Sequence, residues 1–496
     1  MRKPRFIAGA VVPLLLGACA LHSPPAAVSA NPPSQWFAPL PAPGGSAGLP
    51  HHGALSGLSQ WWQQQGDPLL VELIAAAQAV SPTVATARSR IEQARATRVA
   101  AGAALLPSLD ATASASRGRS QPPSGPGPAP VTTTLQSGLQ ASWEIDVFGG
   151  RLAGSDAAGE RLAGARAQWH DARVSVAAEV ANQYYSLRTC RQLEAVTRAD
   201  ATSRGETARL SGLSTGAGFT APATDALARA SAAEASGRAT QQRAQCEFDL
   251  KALVALTGLA EPDIRQKVAA APDLPAQTAM ISIAQVPASA LAQRPDVFNA
   301  ERDVAAASAD VGSAQAERYP RLSLSGAIGS SRLRAGGVTT TLDTWSIGPL
   351  ALTLPLFDGG RRAADVDAAQ ARYEEAAALY RARVRQAVRE VEQALVTLQS
   401  TAEREGDAQT AVTGYRASFT GTDARYRHGL ASLLELEDAR RAQLGADTAL
   451  ATLQRERRSA WVALYRAMGG GWTPAMAGPE AGPSASASAQ AAPARP

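Results

Sequence analysis

The sequence predicts an α+β membrane protein made by internal duplication, in which short amphipathic hairpins are joined to helices far longer than those of a globular domain. Its landmarks return in the same order about 210 residues apart. Two stretches in each copy alternate apolar and polar residues. Two proline-free helical stretches, from Arg151 to Gly218 and from Arg361 to Gly429, each run for on the order of 100 Å at about 1.5 Å per residue. The repeated landmarks are Pro107-Ser108-Leu109 with Pro320-Arg321-Leu322, Phe148-Gly149-Gly150-Arg151 with Phe357-Asp358-Gly359-Gly360-Arg361, Gly218 with Gly429, Arg229 with Arg440, and Leu253 and Gly258 with Leu464 and Gly469.

In chain order, Arg2, Lys3 and Arg5 precede an apolar run from Phe6 to Leu16, too short to span a bilayer, which takes ~20 residues. The run closes on Leu16-Gly17-Ala18-Cys19, which resembles a bacterial lipoprotein signal whose cysteine becomes the lipidated first residue. Ala20, where inner-membrane retention would want Asp, favours the outer membrane. Residues 1–18 therefore read as signal, and 19–57, rich in Pro, Gly, Ser and Ala, as a lipidated tether. Residues 58–275 and 276–472 form the two repeats, and 473–496 a disordered tail. The formal charge of +5 falls close to neutral once the signal is gone, so nothing points to nucleic acid. Basic and acidic residues interleave along the helices as on a solvated face.

Within the first copy, Leu135, Leu139, Ala141, Trp143, Ile145 and Val147 fall on one face of a strand and Thr132, Thr134, Gln136, Gln140, Ser142, Glu144 and Asp146 on the other. Residues 108–117 alternate more weakly, and a loop, Gln121–Pro128, joins the two. The second copy repeats the pattern at Leu322, Leu324 and Ile328 and at Leu350 to Leu356, through Gly336-Gly337, with a slip of phase at Gly348-Pro349 that a bulge would explain. Four strands per chain cannot close a barrel, which needs at least ~8, and an open edge in lipid is prohibitively costly. A soluble sheet with one wet face would alternate in the same way; if the strands lie in a membrane, several chains share one barrel. Trp143, Phe148, Trp345 and Phe357 then read as an aromatic girdle near the strand ends. After each long helix comes a glycine turn, at Gly218 and Gly429, and a shorter helix over 219–258 and 430–468. Cys190 and Cys246 are equidistant from Gly218, so on a hairpin they stand at one height and are expected to pair as a disulfide, which the periplasm permits.

With these elements placed, the chain resembles the outer membrane factors of the TolC/OprM (NodT-type) group over roughly residues 58–472. That resemblance implies a homotrimer with one shared twelve-stranded barrel, four strands from each chain. It also implies a helical periplasmic tunnel that docks a membrane-fusion adaptor and an inner-membrane pump, with passage of small molecules such as drugs and no chemistry. The family narrows its tunnel beside the helix turn with acidic side chains, six and nine residues past the glycine. Glu435 and Asp438, past Gly429 and before Ala439, match that pattern and would form acidic rings. The bland alternative is a surface pair between Glu437 and Arg441, four apart, with the other carboxylates solvated. The first copy has Thr224 and Asp225 in this region and does not share the pattern.

His22, His51, His52, His170 and His428 have no metal-ligand spacing, and no phosphate loop, nucleophile elbow or HExxH run is present. No enzyme and no cofactor beyond the lipid on Cys19 are expected. The lipoprotein signal favours a duct of the resistance-nodulation-division type. The exit duct of type I secretion is the nearer alternative, and a periplasmic coiled-coil adaptor lipoprotein the one from another class.

Overall fold

The computed structural model describes residues 23–38, 61–119, 131–272 and 291–477. Cys19 and the rest of the signal segment, much of the tether and residues 478–496 lie outside the described residues. In chain order the elements are α1 (Trp61–Gln64), α2 (Pro68–Val80), α3 (Pro82–Ala103), β1 (Ser108–Arg119), β2 (Val131–Ile145), α4 (Gly150–Gly216), α5 (Pro222–Thr257), α6 (Glu261–Ala270), α7 (Pro295–Ala316), β3 (Arg321–Ala335), β4 (Val338–Thr353), α8 (Arg361–Arg427) and α9 (Leu433–Ala467), followed by two short 3-10 turns. The long helices α4 and α8 have 67 residues each. Among the described residues no single helix is long and apolar enough to cross a membrane.

The four strands form one antiparallel sheet in the order β1-β2-β3-β4, so the hairpins of the two copies join through β2 and β3. Register sorts the side chains into rows. Ala111, Leu139, Ile328 and Trp345 stand side by side on one face, and Trp143, Leu324 and Leu350 form another row of that face. The opposite face carries rows such as Ser142 with Ser325, and Thr112, Gly138, Gly329 and Thr344. The second hairpin turns at Gly336 and Gly337, with φ of +59° and +85°. Positive φ at both central positions is what a two-residue turn of matching twist demands. The slip of phase is real: register shifts between Leu324 and Gly326, opposite Gly348 and Pro349. The girdle reading fails for Trp345, which sits in the middle of β4 opposite Ile328. Apolar alternation marked only part of that strand, because Thr339 to Thr341 carry its outer end.

Contacts divide the chain into two compact units, and neither unit is one repeat. One combines Arg90–Ala165 and Asn299–Arg381 with the segment before Asn31; the other combines Asn31–Ser89, Arg166–Phe298 and the chain from Ala382 onward. In the first, Val304 and Val311 of α7 pack on Ala369 and Tyr373 of α8. Part of the stretch expected to be a lipidated tether packs here: Tyr373 donates its hydroxyl to the Pro25 carbonyl at 2.9 Å, and Ser308 donates to that of Pro24.

In the second unit, the backbone N–H groups of Phe37 and Ala38 donate to the Glu392 carboxylate at 2.8 and 2.7 Å. Its core gathers Leu70 and Leu73 of α2, Tyr184 and Leu187 of α4, Leu253 of α5, Leu395 of α8 and Trp461 of α9. Trp61 stacks on Tyr465 at 5.0 Å. Asp67 caps α2 by accepting from the Leu70 N–H at 3.2 Å, and accepts from the Tyr184 hydroxyl at 2.7 Å. The disorder expected from residue 473 does not extend to 473–477. Pro474–Ala477 form a 3-10 turn in which Ala477 is buried beside Ala167 and Trp472, its carbonyl accepting from Arg166 at 3.0 Å.

Buried Arg294 ties three elements of this unit. It donates to the Ala467 carbonyl at the end of α9 at 2.9 Å and pairs with Asp296 at 2.7 Å and Glu390 of α8 at 2.8 Å. Replacing it with Met leaves two carboxylates and a carbonyl without their donor. Arg294→Met is expected to cost about 3–5 kcal/mol, read as a shifted denaturant midpoint of the purified protein, with Arg294→Lys falling between. A midpoint unchanged in Arg294→Met would show that these groups find other partners.

Candidate functional site

Both long helices end in the same way. The Phe219 N–H donates to the Ser214 carbonyl at 2.9 Å and the Gly218 N–H to that of Thr215 at 3.0 Å; the Leu430 N–H donates to Arg425 at 2.8 Å and the Gly429 N–H to Tyr426 at 3.0 Å. Each is a Schellman cap, whose residue beyond the helix must adopt a left-handed backbone. Gly218 and Gly429 do so, with φ of +80° and +75°. The residues that follow them, Phe219 and Leu430, are exposed.

Beyond the second turn, Ser432 and Glu435 form a reciprocal capping box at the start of α9. The Glu435 N–H donates to the Ser432 hydroxyl at 3.2 Å, and the Ser432 N–H donates to the Glu435 carboxylate at 2.6 Å. The bond from the Ser432 backbone holds the Glu435 carboxyl below the usual glutamate range. Arg425 stands 3.8 Å from it. Asp438 pairs with Arg441 at 3.3 Å, and both Glu435 and Asp438 are exposed. At the first turn, Ala221 precedes α5 without a side-chain cap.

Glu437 departs from the sequence reading. It makes no surface pair with Arg441. Its side chain is buried, pairing with Arg204 of α4 and with Arg440 at 2.9 Å, and it accepts from Ser231 of α5 at 2.7 Å. Arg204 also pairs with Asp200 at 2.9 Å, and Arg440 donates to Ser203 and Thr207 of α4 at 2.9 and 2.8 Å. This polar cluster joins α9 to both helices of the first hairpin, and sequence reasoning missed it. The one available signal was the repeated Arg229 and Arg440, and it misleads. Arg229 is exposed and pairs with Asp225 on its own helix, whereas Arg440 is buried.

Cys190 on α4 and Cys246 on α5 lie side by side with their Cα atoms 5.4 Å apart and their sulfurs at bonding distance. Neighbouring bonds confirm the antiparallel hairpin that places them, with Gln183 donating to the Asp249 carbonyl at 2.9 Å. Ser23, the first described residue after Cys19, lies against Gly312 of α7, a short way before β3.

The family model for outer membrane efflux proteins matches residues 73–259 and 286–470. The chain is 31% identical to the pyoverdine export outer membrane protein OpmQ of Pseudomonas aeruginosa over 469 residues, covering 92% of this chain and 95% of that protein. It is 30% identical to outer membrane protein OprJ of the same organism, covering 95% and 97%. Among solved structures, the outer-membrane channel OprN superimposes with a TM-score of 0.79 at 29% identity, covering 90% of this chain and 99% of that one.

The buried cluster gives a direct test of the geometry. Glu437→Ala takes from buried Arg440 the carboxylate it pairs with and leaves Arg204 only Asp200, and is expected to destabilise the protein by about 3–5 kcal/mol. Glu437→Gln, which fills the same space and keeps one acceptor oxygen, is expected to cost less. Equal and negligible shifts in the denaturation midpoint of the two variants would mean that the carboxylate is solvated.

Proposed function

The chain belongs to the outer membrane efflux protein family, and from that premise we propose how it assembles and is gated. It is an outer-membrane efflux channel, a passive duct that reaches into the periplasm and changes nothing chemically in what passes. Three copies pair β1 of one with β4 of the next, closing a twelve-stranded barrel. The observation that carries this is a sheet apolar on one face and rich in Ser, Thr and Gln on the other, with β1 and β4 both at open edges. Lipid on the first face and water on the second satisfy the side chains; only neighbouring copies satisfy the edges.

The helices carry the duct into the periplasm, where it meets a membrane-fusion adaptor and an inner-membrane pump of the resistance-nodulation-division type, and its cargo is the small molecules that the pump delivers. Exposed Phe219 and Leu430, at matched positions of the two turns, give that end an apolar surface for the adaptor. The Cys19 thiol carries lipid. In support, the chain just past it is held against α7 and α8 close to the sheet, so an anchor on Cys19 enters the membrane beside the barrel.

Glu435 and Asp438 form the acidic constriction. Three copies bring like charges together, and at an effective dielectric of ~20 such pairs repel by a few kcal/mol at contact, so the closed ring is held by cations, protonation or partners. Because Gln also serves in a capping box, Glu435→Gln with Asp438→Asn removes the charge and keeps the helix start. Single-channel conductance in planar bilayers is expected to rise and cation preference to weaken. If both match the parent, these carboxylates do not line the constriction.

For the anchor, incorporation of labelled fatty acid is expected in the parent and not in Cys19→Ala, and label retained in the variant would refute it. Cys190 and Cys246 are oxidised to a staple within the first hairpin. A non-reduced digest should give one cross-linked peptide pair by mass spectrometry, and two free thiols in freshly isolated protein would overturn that assignment.

A further inference from the structure

The apolar face of the sheet ends in arginine. Register places Arg117, Thr133, Arg334 and Thr339 in one row, Arg119 beside Val131 in the row beyond, and Arg332 beside Leu135 in the row before. Strand alternation puts all four arginines on the face of Leu139, Ile328 and Trp345. At the same height the opposite face carries Ser116, Thr132, Thr134 and Thr340 and no charge. The arginines stand at the hairpin-turn end of the strands, away from the ends that join the helices.

Height identifies what they meet. From Ile145 to Leu135 the face runs for ~34 Å of strand, about 26 Å after a tilt of ~40°, which is the height of the apolar band on an outer-membrane barrel. Its break is the row of Ser137, Ser330 and Asp343, and Asp343 is the one carboxylate on this face of the strands. Arg332 stands at the outer edge of the band. Arg117 and Arg334 stand about 5 Å beyond it, at the depth of lipid headgroups. All four are exposed, and among the described residues none has an ion-pair partner.

Arg117 and Arg334 are two strands apart in one row, about 10 Å, with the Thr133 hydroxyl between them. Two guanidinium groups at that separation can converge on one phosphate, the anion their planar forks fit best. Scattered solubilising charge would fall on both faces, whereas at this height it falls on one; the charges of the opposite face, Asp110, Glu144 and Arg321, lie toward the helix end of the strands.

We propose that Arg117, Arg119, Arg332 and Arg334 bind the phosphate groups of a phosphorylated glycolipid in the outer leaflet, fixing the barrel's depth and its lipid collar. The inference rests on the reading of this sheet as part of a barrel in the outer membrane, with its hairpin turns outside.

The test uses full-length protein in mild detergent, with diphosphorylated lipid A, the same lipid after enzymatic dephosphorylation, and inorganic phosphate as probes, and native mass spectrometry as the readout. The parent is expected to bind the diphosphorylated lipid about tenfold more tightly than the dephosphorylated one, the scale of losing charge-assisted bonds to phosphate. Inorganic phosphate at the same concentration should not displace it. The variant with all four arginines changed to Gln should lose the preference while its channels conduct as before. Equal affinity of the parent for the two lipids overturns the proposal, and this arm stands even if the variant does not assemble. Displacement by inorganic phosphate alone, or an assembled variant that keeps the preference, overturns it as well. A photoreactive apolar lipid separates the two readings: labelling around Leu139 and Ile328 without phosphate preference sinks the arginine site and leaves the barrel, whereas no labelling there sinks the barrel.

Discussion

An apolar sheet with two open edges cannot rest in a bilayer by itself. Along β1 and β4 every second backbone N–H and C=O points away from the sheet, and hydrocarbon offers those groups no partner. In the proposed barrel, that constraint makes the single chain an incomplete object and makes pairing with further copies part of its folding. It also explains the two faces. Leu139, Ile328 and Trp345 are exposed in one chain; in the proposed barrel their solvent is lipid, while the Ser and Thr rows behind them suit a water-filled interior.

Duplication supplied two hairpins with one backbone plan, and different neighbours then gave matched positions different work. The Schellman turns are the same in both copies because the turn is local: a left-handed residue after the helix and two bonds back into its last turn. The next residues already differ. Ser432 and Glu435 lock the start of α9 by a capping box, whereas Ala221 leaves α5 without one and the first hairpin has its paired cysteines instead. Arg440 lies buried against α4 and Arg229 lies in solvent, although the two occupy equivalent places. The environment, rather than the residue, sets what the charge does.

Buried polar groups do the joining where these helices meet. Arg294 spans the end of α9, the start of α7 and the middle of α8. The Glu437 cluster spans α4, α5 and α9. Small Ala-rich faces pack closely but say little about register, since one alanine fits where another does. A charged group with directional partners tolerates far fewer alignments, so these clusters fix which turn of one long helix faces which turn of the next.

The sequence alone determined what depends on neighbours along the chain. Period-two alternation located β1 and β2, glycine placed both helix turns, spacing about Gly218 placed Cys190 opposite Cys246, and repetition showed that the halves share one plan. It misjudged what depends on neighbours in space. Trp345 was assigned to a strand end because apolar alternation marked only part of β4, and the Thr-rich remainder became visible only through its pairing with β3. The Pro-rich segment before Phe37 and the residues just past Thr473 read as loose by composition, yet helix faces hold both. Glu437 and Arg441 satisfied the helical spacing for a surface pair, but a helix has several faces and spacing does not say which is buried. Tertiary structure decided that, because Arg204, more than two hundred residues earlier in the chain, offers a buried partner that no local pattern encodes.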